Sequence, residues 1–205
     1  TGITRHTDPV IASERRVADG EVALAETRTE FLNTFARAMG QADEANSISG
    51  HIVSFEESLI EAASRPESET RLQAVLYAAH NLSDKINSAA DTLMASRMAA
   101  DKNIGDTVDF LQSSLQQVVD LNVAIQQSVS SGYDANSLLD QRQKVVDQIS
   151  QIIPVKEIGR ENNTIALYTP GGAILVDSKA AAIEFTPVAT ITPDMTMAGG
   201  ALSGL

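Results

Sequence analysis

Apolar residues recur with two different periods along this chain, and the change of period divides it. From about residue 8 to residue 40, Val10, Val17, Leu24, Phe31 and Ala38 fall one every seven residues, with Phe35 joining them. That spacing predicts a helix buried along one stripe. Gly20 lies inside the pattern, at a cost of about 1 kcal/mol relative to Ala, and Gly40 is placed to stop the helix. Ile52, Phe55, Leu59 and Ala63 share one face of a shorter helix that starts at Ser47 or Ser49 and ends at Ser64. Arg65-Pro66-Glu67 then breaks the chain, and Pro66 suits the first position of the next helix, where its missing N–H is not needed.

The third helix is the long one. Leu72, Val75, Ala79, Leu82, Ile86, Ala89 and Leu93 keep a 3,4 spacing, and so do Ile104, Val108, Leu111, Leu115, Val118, Asn122, Ile125 and Val129. Between Leu93 and Ile104 the step is one heptad plus four residues, a stutter that locally unwinds a supercoil. Lys102-Asn103-Ile104-Gly105-Asp106, weak in helix propensity, lies at that point. Either one helix of roughly 95 Å bends there or two helices meet; the sustained spacing favours one. Asn122 is the polar residue on the second seam. It either sets register between helices or sits where the seam turns to solvent.

Ser130-Ser131-Gly132-Tyr133-Asp134 ends this helix, with Gly132 as C-cap. Asn136 or Ser137 is placed to cap a fourth helix. It carries Leu138-Leu139-Asp140-Gln141-Arg142 and continues its apolar face through Val145, Val146, Ile149, Ile152 and Ile153. Asp140 falls in its first turn, where a negative charge suits the helix dipole. Pro154 ends it, and the period becomes two. Residues 156–160 and 164–168 flank the turn cluster Glu161-Asn162-Asn163. Thr169-Pro170-Gly171-Gly172 is a second turn, ahead of Ala173-Ile174-Leu175-Val176. Residues 181–185 and 188–191 predict two more short strands, and residues 194–205 a loop.

The expected fold is therefore mainly α: an elongated antiparallel bundle with long coiled-coil-like helices and a small antiparallel β domain. Residues 1–153 form the helical core. Residues 154–205 form a separable β-rich part, cut where it returns to the helical core. The expected seam comprises Leu72, Leu82, Ile86, Leu93, Val108, Leu111, Leu115 and Val118.

Composition narrows the function more than the fold. Aromatics make up 4% of the 205 residues and there is no Trp, so small aliphatic side chains do the packing. With no cysteine, disulfides, thiolate metal sites and cysteine nucleophiles are excluded. The formal charge is −12. Residues 1–152 hold 12 Lys/Arg and 22 Asp/Glu, a balance of −10; residues 153–205 carry the remaining −2. No basic cluster is available for phosphates, which argues against nucleic acid and anionic membrane surfaces as partners. No apolar run approaches the roughly 18 residues of a membrane span. The first residues lack the apolar core of a secretory signal, and without a starting Met the chain reads as a fragment.

Candidate chemistry is sparse. His6, His51 and His80 are scattered without a second ligand at zinc spacing. Asp101-Lys102-Asn103-Ile104-Gly105-Asp106 lacks the sixth-position glycine of a calcium loop, and Gln112 stands where the bidentate Glu belongs. Glu56, Glu57 and Glu61 crowd one helix, where a solvated face is the simplest account. Gly171-Gly172 suits a hairpin turn, and Gly199-Gly200 and Gly204 follow no nucleotide-binding strand. No cofactor, metal or catalytic residue is expected; Arg142 is expected in structural pairing with Asp140 or with Glu across the bundle.

The fourth helix carries a resemblance. Leu138-Leu139-Asp140-Gln141-Arg142, with Val145-Val146 and Ile149-Ser150, resembles the signature of the flagellar hook-associated protein 1 family, and the likeness extends over the hairpin and the helices from Glu30 to Ser131. Gly2-Ile3-Thr4-Arg5 looks like the lead-in to the first core helix of that family. One departure is Gln143, where the family usually has an acidic residue. The Asn-Thr-Pro-Gly-Tyr-type motif and the family's terminal segments are absent. The resemblance implies a structural, non-enzymatic component of the bacterial flagellum, exported to the cell exterior without a cleaved signal. It implies subunits assembled as a ring between hook and filament, with the hook protein and the second hook-associated protein as neighbours. Flagellin, the second hook-associated protein, and a coiled-coil sensor or adaptor are the alternatives. The fragment alone is expected to be a monomer.

Overall fold

A computed structural model describes residues 9–204, with side chains from Ile11 onward. The Thr1-to-Asp8 lead-in and His6 lie outside the described residues. Helices α1 (Pro9–Met39), α2 (Ile48–Ser64), α3 (Glu69–Ser130) and α4 (Asn136–Ser150) are followed by strands β1 (Lys156–Gly159), β2 (Ile165–Tyr168) and β3 (Ile174–Val176). The fold is mainly helical with a small antiparallel sheet.

Helix α3 is the spine. It runs unbroken for 62 residues, about 93 Å. Helix α2 lies back along its start, where Arg71 Nη1 donates to the Glu61 carbonyl at 2.7 Å. Ser47 caps α2: its hydroxyl accepts from the Gly50 amide at 2.9 Å and donates to the Glu44 carbonyl at 2.7 Å. The far end of α3 closes in a Schellman arrangement, Tyr133 N–H on Ser128 C=O and Gly132 N–H on Val129 C=O. The start of α4 is held by Asp134 rather than by Asn136 or Ser137: its carboxylate accepts from the Asn136 amide at 2.8 Å. A one-residue shift of the boundary moves the acceptor into the preceding turn.

The sheet has order β1-β2-β3 with antiparallel neighbours. Glu157 faces Leu167 and Ile158 faces Ala166 across β1 and β2. The first turn places Asn162 and Asn163 at φ 55° and 60°, a conformation that Asn tolerates better than most residues. The expected strands at 181–185 and 188–191 are not strands. That segment runs extended along α3, with its backbone bonded to helix side chains. Asp101 and Gln112 accept from it, and Arg97 donates to it.

The core crosses the 153/154 boundary. Leu111, Leu115, Val118, Leu121, Val145, Val146 and Ile149 of the helices pack with Val155, Ile165, Leu167, Leu175 and Val176 from the sheet side. The expectation of a separable β part gives way here. With few aromatics, α3 and α4 alone form a two-helix layer, and the sheet is the third wall that excludes water from it.

The expected seam divides as well. Val108, Leu111, Leu115 and Val118 are buried, and Leu82 and Leu93 are half-buried. Leu72 and Ile86 are 48% and 47% exposed, which corrects their assignment as buried seam positions. Around them α3 has α2 on one side and no further helix among the described residues to cover the other. The stripe on α1 is likewise only half-covered at Leu24, Phe31 and Phe35.

Candidate interaction surface

The buried end of the rod is fixed by two polar anchors. The first is built on Asn122, mid-seam on α3. Its Nδ2 donates to the Ile165 carbonyl at 2.8 Å, and its Oδ1 accepts from the Ile165 amide at 3.1 Å. The side-chain amide thus pairs with the backbone of β2 as a neighbouring strand would. Arg142 Nη1 donates to Asn122 Oδ1 at 2.8 Å and to the Asn163 carbonyl at 2.6 Å. Of the two readings of Asn122 from spacing, the solvent-facing one is overturned by its burial; Asn122 bonds α4 through Arg142 and also docks a strand. Arg142, 7% exposed, joins α3, α4 and the β1–β2 turn, rather than bridging helices alone.

The other residues of the motif divide by face. Leu138 and Leu139 are half-buried, and Leu138 packs against the core; Asp140 and Gln141 are exposed. The motif is a helix face that carries one buried arginine to the sheet.

The second anchor holds α1. Arg16, only 3% exposed, pairs with Asp147 of α4 at 2.9 Å and Glu157 of β1 at 2.6 Å. Arg15 adds a second contact to Asp147 at 2.8 Å. One turn on, a β-carbon on Gly20 would stand 3.1 Å from the Pro154 ring and 3.3 Å from the Ser150 carbonyl. The helix-interior glycine is the close-approach point of α1 on the end of α4. Sequence reasoning missed Arg16; the signal was a pair of arginines within an acidic chain.

The remaining surface is open and apolar. Val53 and Ile60 on α2 and Leu76 and Tyr77 on α3 are exposed, with Leu32 on α1. Glu56, Glu57 and Glu61 are exposed among them. A groove of about 970 Å³ runs beside α1, lined by Val22, Ala25, Thr29, Asn33 and Arg37 with carboxylates at Glu26 and Glu30.

Among the described residues no group of three His, Cys, Asp or Glu is placed to hold a metal ion. His51 Nε2 lies 3.2 Å from Asn46 Oδ1, and His80 is exposed. Asp101 of the discarded calcium pattern is buried and accepts from the Val188 amide at 2.6 Å. The Asp194 carboxyl is held below its ordinary value of 3.8, first by the Thr192 hydroxyl and then by its own backbone amide, with a smaller contribution from the Arg97 charge. Among the described residues no helix is long and apolar enough to cross a membrane.

The family model for the flagellar hook-associated protein FlgK helical domain matches residues 24–203. The chain belongs to that family. Flagellar hook-associated protein 1 of Salmonella typhimurium is 27% identical over 183 residues, which is 88% of this chain and 33% of the relative. The Escherichia coli K12 protein of the same name is 24% identical over the same length. The chain thus spans about a third of the length of these relatives. The structure of the flagellar hook junction protein FlgK from Burkholderia pseudomallei superposes with a TM-score of 0.70 at 21% identity, covering 81% of this chain and 29% of that one. At that identity the likeness establishes the fold. The FlgK match takes in α2, α3, α4 and the sheet, so the Asn122–Arg142 anchor lies within the family's helical domain.

Proposed function

We propose that this chain is the helical core of a structural protein of the bacterial flagellum, joining hook to filament by packing as a ring of identical subunits. The observation that carries the reading is the match to the FlgK helical domain across most of the chain. The division of α3 into a closed and an open half gives that role a physical form. The closed half, locked to the sheet by Asn122 and Arg142, supplies a rigid body. The open half, with α2 and the half-covered stripe of α1, supplies apolar faces for neighbours. In this reading the hook protein and the second hook-associated protein are the axial neighbours. The protein reaches the cell exterior without a cleaved signal and catalyses no reaction.

The test is genetic and structural together. The gene is deleted in the organism that carries it, and motility and filament attachment are scored after return of wild-type or variant genes. Ile60→Glu with Leu76→Glu places charge on two exposed positions and should leave the isolated fold intact while filaments fail to attach. Wild-type swimming by the double variant removes the open half from the contact surface. Normal filament attachment in the deletion strain removes the junction role itself.

A further inference from the structure

The middle of α3 is supported by neither neighbouring helix. Helix α2, 17 residues long, runs back from the turn ahead of α3 and covers it to about residue 88. Helix α1 touches α3 where Phe31, Phe35 and Ala38 meet Thr92, Leu93 and Ser96, but between Glu21 and Asn33 all its side chains except Ala23 are exposed. At the other end an open groove of about 550 Å³ separates Asn103, Asp106 and Phe110 from Gln148 of α4 and Gln151 just after it. The heptad stutter and the weak run Lys102-Asn103-Ile104-Gly105-Asp106 fall inside this unsupported stretch. Gly105, inside this stretch, weakens the helix interior by about 1 kcal/mol relative to Ala.

One segment does cover it. Between Ser96 and Thr107 the buried residues of α3 are Asp101 and Gly105, and residues 181–195 cover both. The Val188 amide donates to Asp101 Oδ2 at 2.6 Å. Pro187 lies on Gly105 so closely that a β-carbon there would stand 2.5 Å from its Cγ. Towards the start of α3, the Arg97 guanidinium reaches the carbonyls of Thr192 and Met195. Towards its end, the Ile183 amide donates to Gln112 Oε1 at 2.9 Å. The strap leaves the sheet at Ala181, whose amide donates to the Leu175 carbonyl of β3 at 2.8 Å; beyond it the helix supplies the donors and acceptors. Ile191, 4% exposed, is the apolar plug of the far end.

We propose that residues 181–195 are a splint, clasped across the weak middle of α3, and that their release turns the stretch around Gly105 into a hinge. Ile183 packs on the core and keeps the near end seated. From Pro187 onward the clasp rests on polar side-chain bonds, each individually weak against water, and on the Pro187 and Ile191 contacts. That part can therefore open without loss of the core at residues 108–125. The two states are a straight rod with the strap seated and a bent rod with it free. Such a device would let one subunit adopt different curvatures in an assembly while its anchored end stays the same.

The test uses the whole chain with two readouts. Hydrogen exchange follows residues 97–106, 108–125 and 187–195 separately. Spin labels at Ser83→Cys and Gln117→Cys, both exposed in a chain without native cysteine, report a separation of about 51 Å along a straight helix. Arg97→Met removes the guanidinium and keeps the apolar stem. Pro187→Gly removes the ring from Gly105 without touching the helix. In each variant, exchange in 97–106 and 187–195 should rise about ten-fold, residues 108–125 should be unchanged, and the label distance should broaden to shorter values. Asp101→Asn, which still offers an acceptor to Val188, should behave as wild type. A strap that exchanges faster while 97–106 and the label distance stay fixed would make it a passenger. A strap unaffected by either variant would mean that these contacts do not hold it. Protection lost throughout the chain in Pro187→Gly would show that the strap belongs to the core.

Discussion

Replacing Asn122 by Leu tests the central claim about how the sheet is fixed to the helices. The two side chains share heavy-atom count and branching, so the change removes polarity while keeping the outline, although the leucine methyls are bulkier than the amide. The Ile165 amide and carbonyl, now bonded to Asn122 at 3.1 and 2.8 Å, both lose their partner inside the core. Each buried, unsatisfied backbone group costs about 1–3 kcal/mol. Arg142 also loses the acceptor it holds at 2.8 Å. Gained apolar contact offsets part of this, leaving a net loss of about 3 kcal/mol. For a chain of this size that corresponds to a fall of about 6–12 °C in melting temperature.

Asn122→Asp sharpens the test. The carboxylate keeps an acceptor for the Ile165 amide and for Arg142, with a stronger, charge-assisted bond to the guanidinium. It loses the donor to the Ile165 carbonyl. The expected cost is about 1–2 kcal/mol, so the order is wild type, Asp, Leu. Urea unfolding followed by circular dichroism reads the order, and exchange of the Ile165 amide reads the site. Asn122→Leu within 0.5 kcal/mol of wild type, about the scatter of a neutral surface change, would refute the docking role.

Other expectations rest on separate contacts. Leu115→Asp buries a carboxylate at a fully covered position and should cost several kcal/mol, against about 0.5 kcal/mol for exposed Asp109→Ala; equal thermal melts would misplace the seam. Ending the chain at Pro154 uncovers Val118, Val146 and Ile149, so cooperative melting should be lost and a hydrophobic dye should bind; an unchanged melt would show the helices self-sufficient. Arg16→Met takes the arginine from Glu157 and leaves Asp147 to Arg15 alone. Both carboxylates are partly solvated, and the change should cost about 1–2 kcal/mol; a loss no larger than that of Arg15→Met would make the buried arginine incidental. Sedimentation of residues 1–205 should give a monomer or weak, reversible association, held apart at low salt by the −12 charge; a stable ring would show that lateral contacts suffice for assembly.

The helices were legible because their information is periodic. The 3,4 spacing marked α3 across its whole length, and Gly40, Gly132 and Pro154 punctuated the chain close to where the helices stop. The hairpin was legible for the same reason at period two. Residues 181–191 were misread because alternation in Ala181-Ala182-Ile183-Glu184-Phe185 signals extended backbone, not the identity of its partner. An extended chain that bonds to helix side chains has the same local pattern as one in a sheet. The polar anchors were less legible still. Asn122 stood out as an exception on its seam, but its partner lies 43 residues away and is a backbone, which leaves no trace in side-chain pattern. Arg16 meets Asp147 and Glu157 across separations of 131 and 141 residues; one sequence offers no means of pairing them among 27 acidic residues.

The two halves of α3 show why spacing alone misjudged the seam. Leu72 and Ile86 obey the same 3,4 rule as Leu111 and Leu115, yet the first pair is half-exposed and the second buried. Period records that a face must be covered; it does not record by what. What separates the halves is the polar chemistry beside the apolar stripe. In the covered half, Asn122 and Arg142 supply bonds that fix one partner in one register. Beside the open half, α2 exposes Glu56, Glu57 and Glu61 along with Val53 and Ile60, and such carboxylates keep an apolar face soluble. Their repulsion weakens with salt, and a neighbour carrying basic groups would neutralise it. A seam flanked by unpaired like charge is therefore suited to closure between molecules, and one threaded by buried polar anchors to closure within the molecule.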